Sequence, residues 1–509
     1  MLKDLAMSLS LANLCFLATW NELFNSPIRR PSVGLAVLIN AVTLGLVFWI
    51  AITLARRSGR ALPMRFARFL FPLVLLFPVK VFARLLLPGQ RLIIELLALM
   101  LFILVIGLFE VRRWHRTILN ASRAGVLVLF PFCLVTFYRA SCTLIPVSDK
   151  PPAPRLPMPN TAAPRVLWFL FDEMDQRLAF SDRPATLQLP ELDRLRSQAI
   201  YATNAYPPSD LTLVSLPAFI TGKLLSNAEL VSQSRLMITP ADSGTPLDWG
   251  RQANLFTKAR DAGYNTALIG GYIPYCSLIG DSVTSCSWVD YEPATLFERI
   301  QKQLQDLMGA IPLASDFVIA QQMELNDLLG RQKHFKDYSD VFEAARELVS
   351  DPGLRLILVH WPVPHLPGIY DRRTHQFEVN VESSYLDNLR LVDRTVGELR
   401  RYLEATGSWD NTVLLVTSDH WLRSFWKEMG PDPEDRIIPG DLDQRVPFLL
   451  KVAGQETAVT YDPAFNNVLA HDMVLALLRG EISSPNSVTS WLDGHRSVGH
   501  APYRFNPSE

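Results

Sequence analysis

The sequence predicts an N-terminal α-helical membrane domain with five spans, followed by an α/β domain with a doubly wound, mostly parallel sheet. Up to about residue 145, long apolar runs alternate with short arginine-rich breaks, whereas later segments have globular proportions of acids, bases and prolines. In the later part, apolar runs typical of buried strands alternate with segments of helical periodicity. We therefore expect a membrane domain at 1–145, a Pro-rich extended linker at 146–164 and an α/β domain at 165–509.

Five apolar stretches have the length of about 20 residues that a helix needs to cross a bilayer. The breaks at 55–68 and 111–123 are rich in arginine, and positively charged loops stay on the cytoplasmic side. A cleavable signal peptide is the alternative for the first stretch, but no small-residue cleavage site follows it. We therefore expect a multi-pass protein of the cell (inner) membrane, with its second domain facing the periplasm or the cell exterior. The predicted spans are 5–24, 32–54, 69–87, 92–110 and 124–145.

The charge balance limits the partners that can be expected. The chain of 509 residues carries a formal net charge of −1, because 49 lysines and arginines nearly balance 50 acids. Such a chain has no bulk electrostatic attraction to nucleic acid. We expect no nucleic-acid partner, and the composition gives no indication of oligomeric state.

Two of the five cysteines, Cys276 and Cys286, lie in the predicted outer domain, in the segment "YCSLIGDSVTSC". An oxidising compartment favours a disulfide between them. The alternative is a pair of metal ligands, but the short spacing and further partners that such a pair needs are absent from the sequence.

Acidic residues and histidines follow the predicted buried strands. The run "RVLWFLFDE" ends in Asp172 and Glu173, and "NTVLLVTSDH" ends in Asp419 and His420. In doubly wound sheets, ligands bind at the carboxyl ends of the strands. Carboxylates with an imidazole suit Zn²⁺ or Mn²⁺, and Ca²⁺ or Mg²⁺ is possible. His360, at the end of "LRLILVHW", is either a substrate-binding residue of this site or a strand residue without such a role.

The segment "YPPSDLTLVSLPAFITGK", residues 206–223, contains a candidate nucleophile. Pro217 suits the first turn of a helix that Gly222 terminates, which puts Thr212 just ahead of the helix N-terminus. A hydroxyl that is bound there to a divalent cation can lose its proton near neutral pH and attack an ester. The alternative is that Ser209 or Thr212 only caps the helix.

Five motifs in the same order resemble the sulfatase and alkaline phosphatase superfamily, over about residues 165–480. Each motif alone is weak, but five in order are a strong indication. The resemblance implies an alkaline-phosphatase-like fold for the second domain. The motifs are "VLWFLFDE", "LPELDRLRSQAIYATNAYPPS", "AGYNTALIGG", "RLVDRTVGELRRYLEATGSWDNTVLLVTSDH" and "RVPFLLKVAG".

The resemblance implies a role for each matched residue. Asp172 is similar to the acid ligand shared across the superfamily, and Glu173 to the second acid that sulfatases add. Thr212 stands at the nucleophile position and is itself a metal ligand. Asp419 and His420 match the remaining metal ligands.

Three further residues are expected at the substrate. His365, in "HWPVPHLPG", resembles a family histidine that faces substrate and can act as acid or base; the alternative is a loop histidine without a role. Lys223 either holds an anionic oxygen or is a solvated surface lysine. Trp421 stands where the family has glycine, and we expect its ring to shape the substrate pocket.

The departures from the family pattern decide between activities. Sulfatases convert a cysteine or serine to formylglycine, and threonine cannot form it. "TLVSLP" resembles instead the Thr-x-x-Ser-x-Pro of phosphoethanolamine transferases, and a five-span anchor resembles those enzymes and lipoteichoic acid synthases. This implies transfer of a phospho-head group from a membrane lipid to an outer-surface glycan or lipid. The alternatives are a sulfate- or phosphate-ester hydrolase of the same fold, and an inactive scaffold domain.

Overall fold

The structure of the protein is a computed structural model. The described residues are 2–17, 20–58, 115–157, 164–290, 295–309, 315–423, 435 and 443–496, with single positions between 96 and 107. They fall into two compact units. A helical unit comprises Met1–Val147 and Pro293–Asn326, and an α/β unit comprises Ser148–Glu292 and Asp327–Glu509. The segment 293–326 thus belongs to the helical unit, although it lies within the range expected for the α/β domain.

The described residues form α-helices in both units. They are α1 Leu2–Cys15, α2 Trp20–Asn25, α3 Pro31–Ser58, α4 His115–Val128, α5 Phe130–Thr143, α6 Pro190–Arg196, α7 Thr212–Thr221, α8 Leu255–Asp261, α9 Tyr275–Ile279, α10 Leu296–Gly309, α11 Ser315–Ser350, α12 Tyr385–Ala405, α13 Ala470–Leu478 and α14 Pro485–His495.

The strands of the described residues all lie in the α/β unit. They are β1 Arg165–Asp172, β2 Ile200–Ala202, β3 Ala205–Tyr206, β4 Leu225–Ser232, β5 Arg235–Pro240, β6 Leu247–Asp248, β7 Thr266–Gly271, β8 Ser285–Val289, β9 Leu356–Pro364, β10 Tyr370–Asp371, β11 Gln376–Phe377, β12 Thr412–Ser418, β13 Phe448–Lys451, β14 Val459–Tyr461 and β15 Phe465–Asn466.

In the helical unit, α3 packs against α1, α5 and α10. Two helical stretches of the described residues are long and apolar enough to cross a membrane. Pro31–Leu54 lies within α3, and Asn120–Thr143 runs from α4 into α5. Signal sequences and core helices of soluble proteins can have the same length and composition. These stretches overlap the second and fifth predicted spans.

The other predicted spans are less well covered. The first, 5–24, is divided between α1 and α2, because α1 ends at Cys15 and a turn follows. The span at 69–87 lies outside the described residues, as does the span at 92–110 apart from single positions. Five spans therefore stay a prediction.

The α/β unit is built on an eight-stranded sheet with the order β14-β2-β13-β12-β1-β9-β7-β8. Its neighbours pair in parallel, except that β13 runs antiparallel to β12 and β2. Side chains of a strand alternate between its two faces. In β1, Val166, Trp168 and Leu170 therefore join one core with α7, α8 and α13, and the residues between them join a second core with α6, α11 and α12. The predicted mostly parallel α/β sheet, covered on both faces, is confirmed.

Part of the Pro-rich segment lies against the α/β unit. The backbone N–H of Lys150 donates to the carbonyl of Cys276 at 3.1 Å, and that of Ala153 donates to Val283 at 2.8 Å. Arg155 forms an ion pair with Asp351 at 2.6 Å. Residues 148–157 of the predicted linker therefore form no helix or strand and are tied to this unit.

Candidate active site

The site lies where neighbouring parallel strands end at one edge of the sheet. In the pairing of β1 with β12, Phe171 lies opposite Ser418. The residue that follows this pair is an aspartate in both segments, so Asp172 and Asp419 lie side by side. Strand β9 lies on the other side of β1 and ends at Pro364, with His365 immediately after it. The register of three apolar strands thus brings together residues that are far apart in sequence.

Asp172, Asp419 and His420 form a group that can hold a metal ion. One ligand atom from each lies within 4.8 Å of the others, and all three residues are buried. His420 Nε2 is 3.4 Å from Asp172 Oδ1 and 3.6 Å from Asp419 Oδ2. Among the described residues, this is the group of acids and histidines with that geometry.

The donor atoms fit a divalent cation. Asp172 Oδ1 and Asp419 Oδ2 are buried carboxylate oxygens that accept no hydrogen bond from any described residue. Burying such an oxygen costs free energy of folding unless a positive charge lies opposite it. The ring of His420 is oriented by its Nδ1, which lies 2.9 Å from the carbonyl oxygen of Trp421. A proton on Nδ1 leaves the lone pair of Nε2 facing the carboxylates, as in metal-binding histidines.

The pKa shifts reflect the same concentration of negative charge. Burial lowers the pKa of His420, but Asp419, Asp172 and Glu173 outweigh burial and raise that pKa to about 9. Burial raises the pKa of Asp172, but His365 and His420 outweigh it and hold that pKa well below its usual range. The cluster therefore favours a positive charge at Nε2, which a proton or a metal cation can supply.

Thr212 lies in this cluster and does not cap the helix. Its Oγ1 is 3.2 Å from His420 Nε2, and the residue is 8 % exposed. Helix α7 begins at Thr212 itself, with Leu211 as its N-cap and no side-chain capping bond. Pro217 consequently lies inside the helix, not in its first turn as the sequence suggested. The capping alternative for Thr212 is thereby removed.

Ser209 does not cap α7 either. Its Oγ lies 3.3 Å from the N–H of Leu211, within the turn, and its carbonyl accepts a hydrogen bond from the hydroxyl of Ser215 at 3.0 Å. The turn at Ser209 is thus held in place by Ser215, a residue of helix α7. This bond holds the loop that delivers Thr212 to the end of the sheet.

Glu173 and His365 lie beside the cluster. The backbone N–H of Glu173 donates to Asp419 Oδ1 at 3.0 Å, and its backbone has a φ of +66°, unusual for a residue with a side chain. Its buried carboxylate lies 3.3 Å from Arg423 Nε and 3.7 Å from His365 Nε2. Glu173 therefore connects the group of Asp172, Asp419 and His420 to the guanidinium of Arg423 and to the half-buried His365. The carboxylate of Glu173 is not itself part of that three-residue group.

Sequence reasoning missed Arg423. Besides Glu173, its guanidinium donates to the carbonyl of Asp210 at 3.3 Å, in the loop that precedes Thr212. Its position three residues after His420 was the available signal. Its partners lie more than 200 residues earlier, so the sequence did not indicate what it contacts. Arg423 ties the loop that precedes Thr212 to the acid-rich end of β1.

Tyr272 was also missed. It directly follows β7, has a φ of +66° and is 50 % exposed. Burial of its hydroxyl raises the pKa of Tyr272, and Asp172 and Asp419 add to the rise. Their influence puts the ring within electrostatic reach of the cluster. The segment "AGYNTALIGG" ends just before this residue, and no motif singled out Tyr272 itself.

The other three residues expected at the substrate differ in their distance from the cluster. His360 is buried in β9, with Nδ1 3.2 Å from the hydroxyl of Tyr275, and its charge contributes to lowering the pKa of Asp172. Trp421 is 1 % exposed, so its ring is packed inside the protein. Lys223 is exposed just past the C-terminal end of α7, about 15 Å along the helix from Thr212. The structure does not bring Lys223 to the cluster.

Cys276 and Cys286 are joined in a disulfide, with their Cα atoms 5.7 Å apart. The bond connects α9 to β8, next to the edge of the sheet. Cys15, Cys133 and Cys142 are free.

The protein is thus an α/β protein with a mostly parallel sheet. At the carboxyl edge of that sheet it carries a buried group of two acids and one histidine, with a candidate nucleophilic hydroxyl beside them. A family model described as Sulfatase matches residues 164–478, well over half of the chain. The chain belongs to the sulfatase family. No curated protein matches the sequence significantly.

Several solved structures match this chain at low sequence identity. One is a protein of Bacteroides thetaiotaomicron described with the metabolism of multiple glycosaminoglycans, with 14 % identity, a TM-score of 0.43, and 65 % of this chain and 82 % of that chain covered. Another is the phosphonate monoester hydrolase of Agrobacterium radiobacter, with 14 % identity, a TM-score of 0.37, and 62 % and 74 % covered. A third is murine ectonucleotide pyrophosphatase/phosphodiesterase 5 in complex with AMP, with 11 % identity, a TM-score of 0.38, and 64 % and 99 % covered.

Proposed function

We propose that the protein is a membrane-anchored, metal-dependent transferase that uses Thr212 as its nucleophile. It takes a phospho-head group from a membrane lipid and passes the group to an outer-surface glycan or lipid. The observation that carries the proposal is the 3.2 Å separation between Thr212 Oγ1 and His420 Nε2, within a buried group of two carboxylates and one imidazole.

The residues around Thr212 suit a cation and an attacking hydroxyl. A divalent cation held by Asp172, Asp419, His420 and Thr212, with Zn²⁺ or Mn²⁺ preferred by this donor set, would polarise a phosphoryl oxygen and lower the pKa of the threonine hydroxyl. Thr212 also lies at the N-terminus of α7, where free N–H groups and the helix dipole favour negative charge.

In the first step, Thr212 Oγ1, which has already given its proton to solvent and attacks as the alkoxide, forms a bond to phosphorus while the bond from phosphorus to the lipid alcohol breaks. The leaving alkoxide takes a proton from His365, whose side chain is 29 % exposed and can therefore meet a substrate. The carboxyl group of Glu173 lies 3.7 Å from His365 Nε2, on the side of the ring that would exchange this proton.

In the second step, the acceptor alcohol gives its proton to His365 and attacks phosphorus, and the bond to Thr212 breaks. His365 is then protonated as at the start, and Thr212 regains its initial state. Water in place of the acceptor alcohol would make the same cycle a hydrolysis. The choice between the two activities therefore depends on which hydroxyl reaches the phospho-threonine.

Threonine favours a phosphoryl transfer over sulfate-ester hydrolysis by the sulfatase route. Formylglycine forms from cysteine or serine, and position 212 has neither. Membership of the sulfatase family keeps an ester hydrolase as the second candidate. An inactive scaffold is disfavoured, because Asp172, Thr212, Asp419 and His420 are all present and lie together.

The membrane part of the proposal is supported by the helical unit. Pro31–Leu54 and Asn120–Thr143 have the length and apolarity of spanning helices. The arginine-rich break at 55–68 puts the C-terminal end of the first of these helices in the cytoplasm. The catalytic unit would then face the periplasm or the exterior, where a disulfide such as Cys276–Cys286 persists.

The test uses the full chain in nanodiscs that contain phosphatidylethanolamine. Release of diacylglycerol, measured by mass spectrometry, should require Thr212 and should increase when a lipid or glycan acceptor is added. Lys223→Ala is a matched control, because Lys223 is exposed at the opposite end of the same helix. Turnover of soluble sulfate or phosphate esters, with no release of diacylglycerol, would defeat the transferase proposal and favour the hydrolase.

A further inference from the structure

Helix α10 has an unusual distribution of polar and apolar residues. Within the helical unit it packs against α3; its fully buried side chains are polar, and Leu307 packs half-buried against the apolar cluster of the unit. Arg299 is 3 % exposed and Gln303 is 2 % exposed, whereas Phe297 is 72 % exposed and Leu304 is 42 % exposed. A helix of a water-soluble unit normally buries its apolar face and exposes its polar one.

The buried polar side chains of α10 are specifically paired. Arg299 forms an ion pair with Glu22 of α2. Asn40 of α3 donates to Gln303 Oε1 at 2.9 Å, and Gln303 donates in turn to the carbonyl of Val33 at 3.4 Å. These contacts fix both the rotation and the position of α10 on the unit.

The fixed rotation leaves one apolar edge uncovered. At 100° per residue, Phe297 and Leu304 lie within about 20° of each other around the helix, whereas Lys302 lies about 140° from Phe297. Lys302 is also exposed. The exposed surface of α10 is thus divided into an apolar edge and a polar edge, as in helices that lie in a membrane interface.

The position along α3 matches that interface. Val33 is two residues after the start of the apolar stretch Pro31–Leu54, and Asn40 is about 13 Å along the helix from Pro31. α10 therefore lies beside the first third of α3, where a span passes from head groups into acyl chains. Arg29, exposed in the loop just before α3, adds positive charge at that level.

The apolar edge of α10 has the same chemical character as the exposed surface of α3. Along α3, several large apolar side chains are exposed, among them Val47 at 53 % and Leu54 at 59 %. Acyl chains are the occupant that suits such a surface, because they solvate apolar side chains at no cost and leave the internal polar pairs in place.

We propose that α10 is an interfacial helix whose Phe297–Leu304 edge is embedded in the lipid bilayer. The chain leaves the α/β unit after β8, so this helix provides a second attachment to the membrane from within the catalytic sequence. The inference rests on the membrane location in the proposed function, and not on the chemistry of Thr212.

The test is photo-crosslinking of the full chain in nanodiscs of phosphatidylethanolamine and phosphatidylglycerol. The variants are Phe297→p-benzoylphenylalanine and Leu304→p-benzoylphenylalanine, with the same replacement at Val47 as the control within the predicted span. Lys302 is the matched control on the polar edge of α10. Lipid adducts on the corresponding peptides are measured by mass spectrometry, and melting curves check that each variant is folded.

We expect adducts at positions 297, 304 and 47, with at least tenfold less at position 302. Adducts at 47 but none at 297 and 304 would overturn the inference and leave the membrane anchor intact. Equal labelling at 302 and 297 would overturn the sided orientation. Absence of adducts at 47 as well would overturn both the inference and the membrane location on which it rests.

Discussion

Oγ1 of Thr212 lies 3.2 Å from Nε2 of His420, although 208 residues separate them in the chain. The two residues meet because α7 begins at Thr212 and β12 ends next to His420, both at the carboxyl edge of the sheet. No capping role occupies the threonine hydroxyl. This contact is the basis of the proposed nucleophile.

Replacement of Asp419 should remove the metal. Asp419→Asn takes one of two buried carboxylates from the cluster, so we expect bound Zn²⁺ or Mn²⁺ to fall below one tenth of the wild-type content. At a metal concentration of 100 times Kd, binding stabilises the wild type by about 2.7 kcal/mol, which corresponds to about 4 °C in Tm. Elemental analysis and melting curves with and without a chelator measure both effects. Asp242→Asn, at an exposed site, is the control; equal metal in the two variants would argue against this site.

Substitutions of Thr212 should separate hydroxyl chemistry from packing. Thr212→Ser keeps the hydroxyl, and we expect donor turnover within about tenfold of wild type. Thr212→Ala removes the nucleophile, and turnover should fall by a factor on the order of 10³ or more. Diacylglycerol release measures the rates, and unchanged melting curves show that both variants fold. Comparable activity of the alanine and serine variants would mean that another group attacks.

Stability should decrease on acidification through His471. Its Nε2 lies 2.9 Å from Lys258 Nζ and its Nδ1 lies 3.1 Å from the carbonyl of Phe219, an arrangement that requires a neutral ring. Burial and Lys258 lower the pKa of His471 to about 4. Below its unfolded pKa of about 6.5, the unfolded chain binds a proton that the folded ring does not. The resulting loss is about 1.4 kcal/mol at pH 5.5.

The measurement for His471 is unfolding of the full chain by urea at pH 7.5 and pH 5.5. His471→Gln keeps a donor and an acceptor but does not titrate, so its loss over this pH range should be smaller by about 1.4 kcal/mol. The ring also packs against Gly222, where an added Cβ would lie 2.6 Å from His471 Cδ2, so the variant will be less stable overall. An identical pH dependence in variant and wild type would contradict the prediction.

Reduction of the Cys276–Cys286 bond should destabilise the α/β unit. The bond closes a short loop, with a sequence separation of 10, so its loss should cost about 2.5 kcal/mol. Melting curves with and without reductant measure the effect. Cys142→Ser should keep the sensitivity to reductant, whereas the double variant Cys276→Ser, Cys286→Ser should lose it. A wild-type protein that reductant does not affect would refute the prediction.

The parts of the fold with strong local patterns could be predicted from the sequence. The apolar runs of β1, β9 and β12 and the helical period of α12 are complete within one segment each. Because parallel strands end at the same edge, the acids that follow β1 and β12 could be expected to meet there. This is why Asp172, Asp419 and His420 were predictable as a group.

Features that depend on distant partners could not be predicted. Arg423 and Glu173 are 250 residues apart, and the pairing exists only once the strands are assembled. The start of α7 was misplaced because Pro217 is tolerated inside the helix, where packing overrides its propensity. The packing of α10 on α3 could not be predicted either, because the Asn40–Gln303 contact joins polar residues of two separate segments.

The central claim, covalent catalysis by Thr212, is tested most directly by mass spectrometry of its peptide. Full-length protein in nanodiscs is incubated with phosphatidylethanolamine without acceptor, quenched in acid and digested. We predict a phosphoethanolamine adduct on Thr212 that disappears when acceptor is added and is absent from Thr212→Ala. Release of diacylglycerol with no adduct on Thr212, or with an adduct on another residue, would contradict the account.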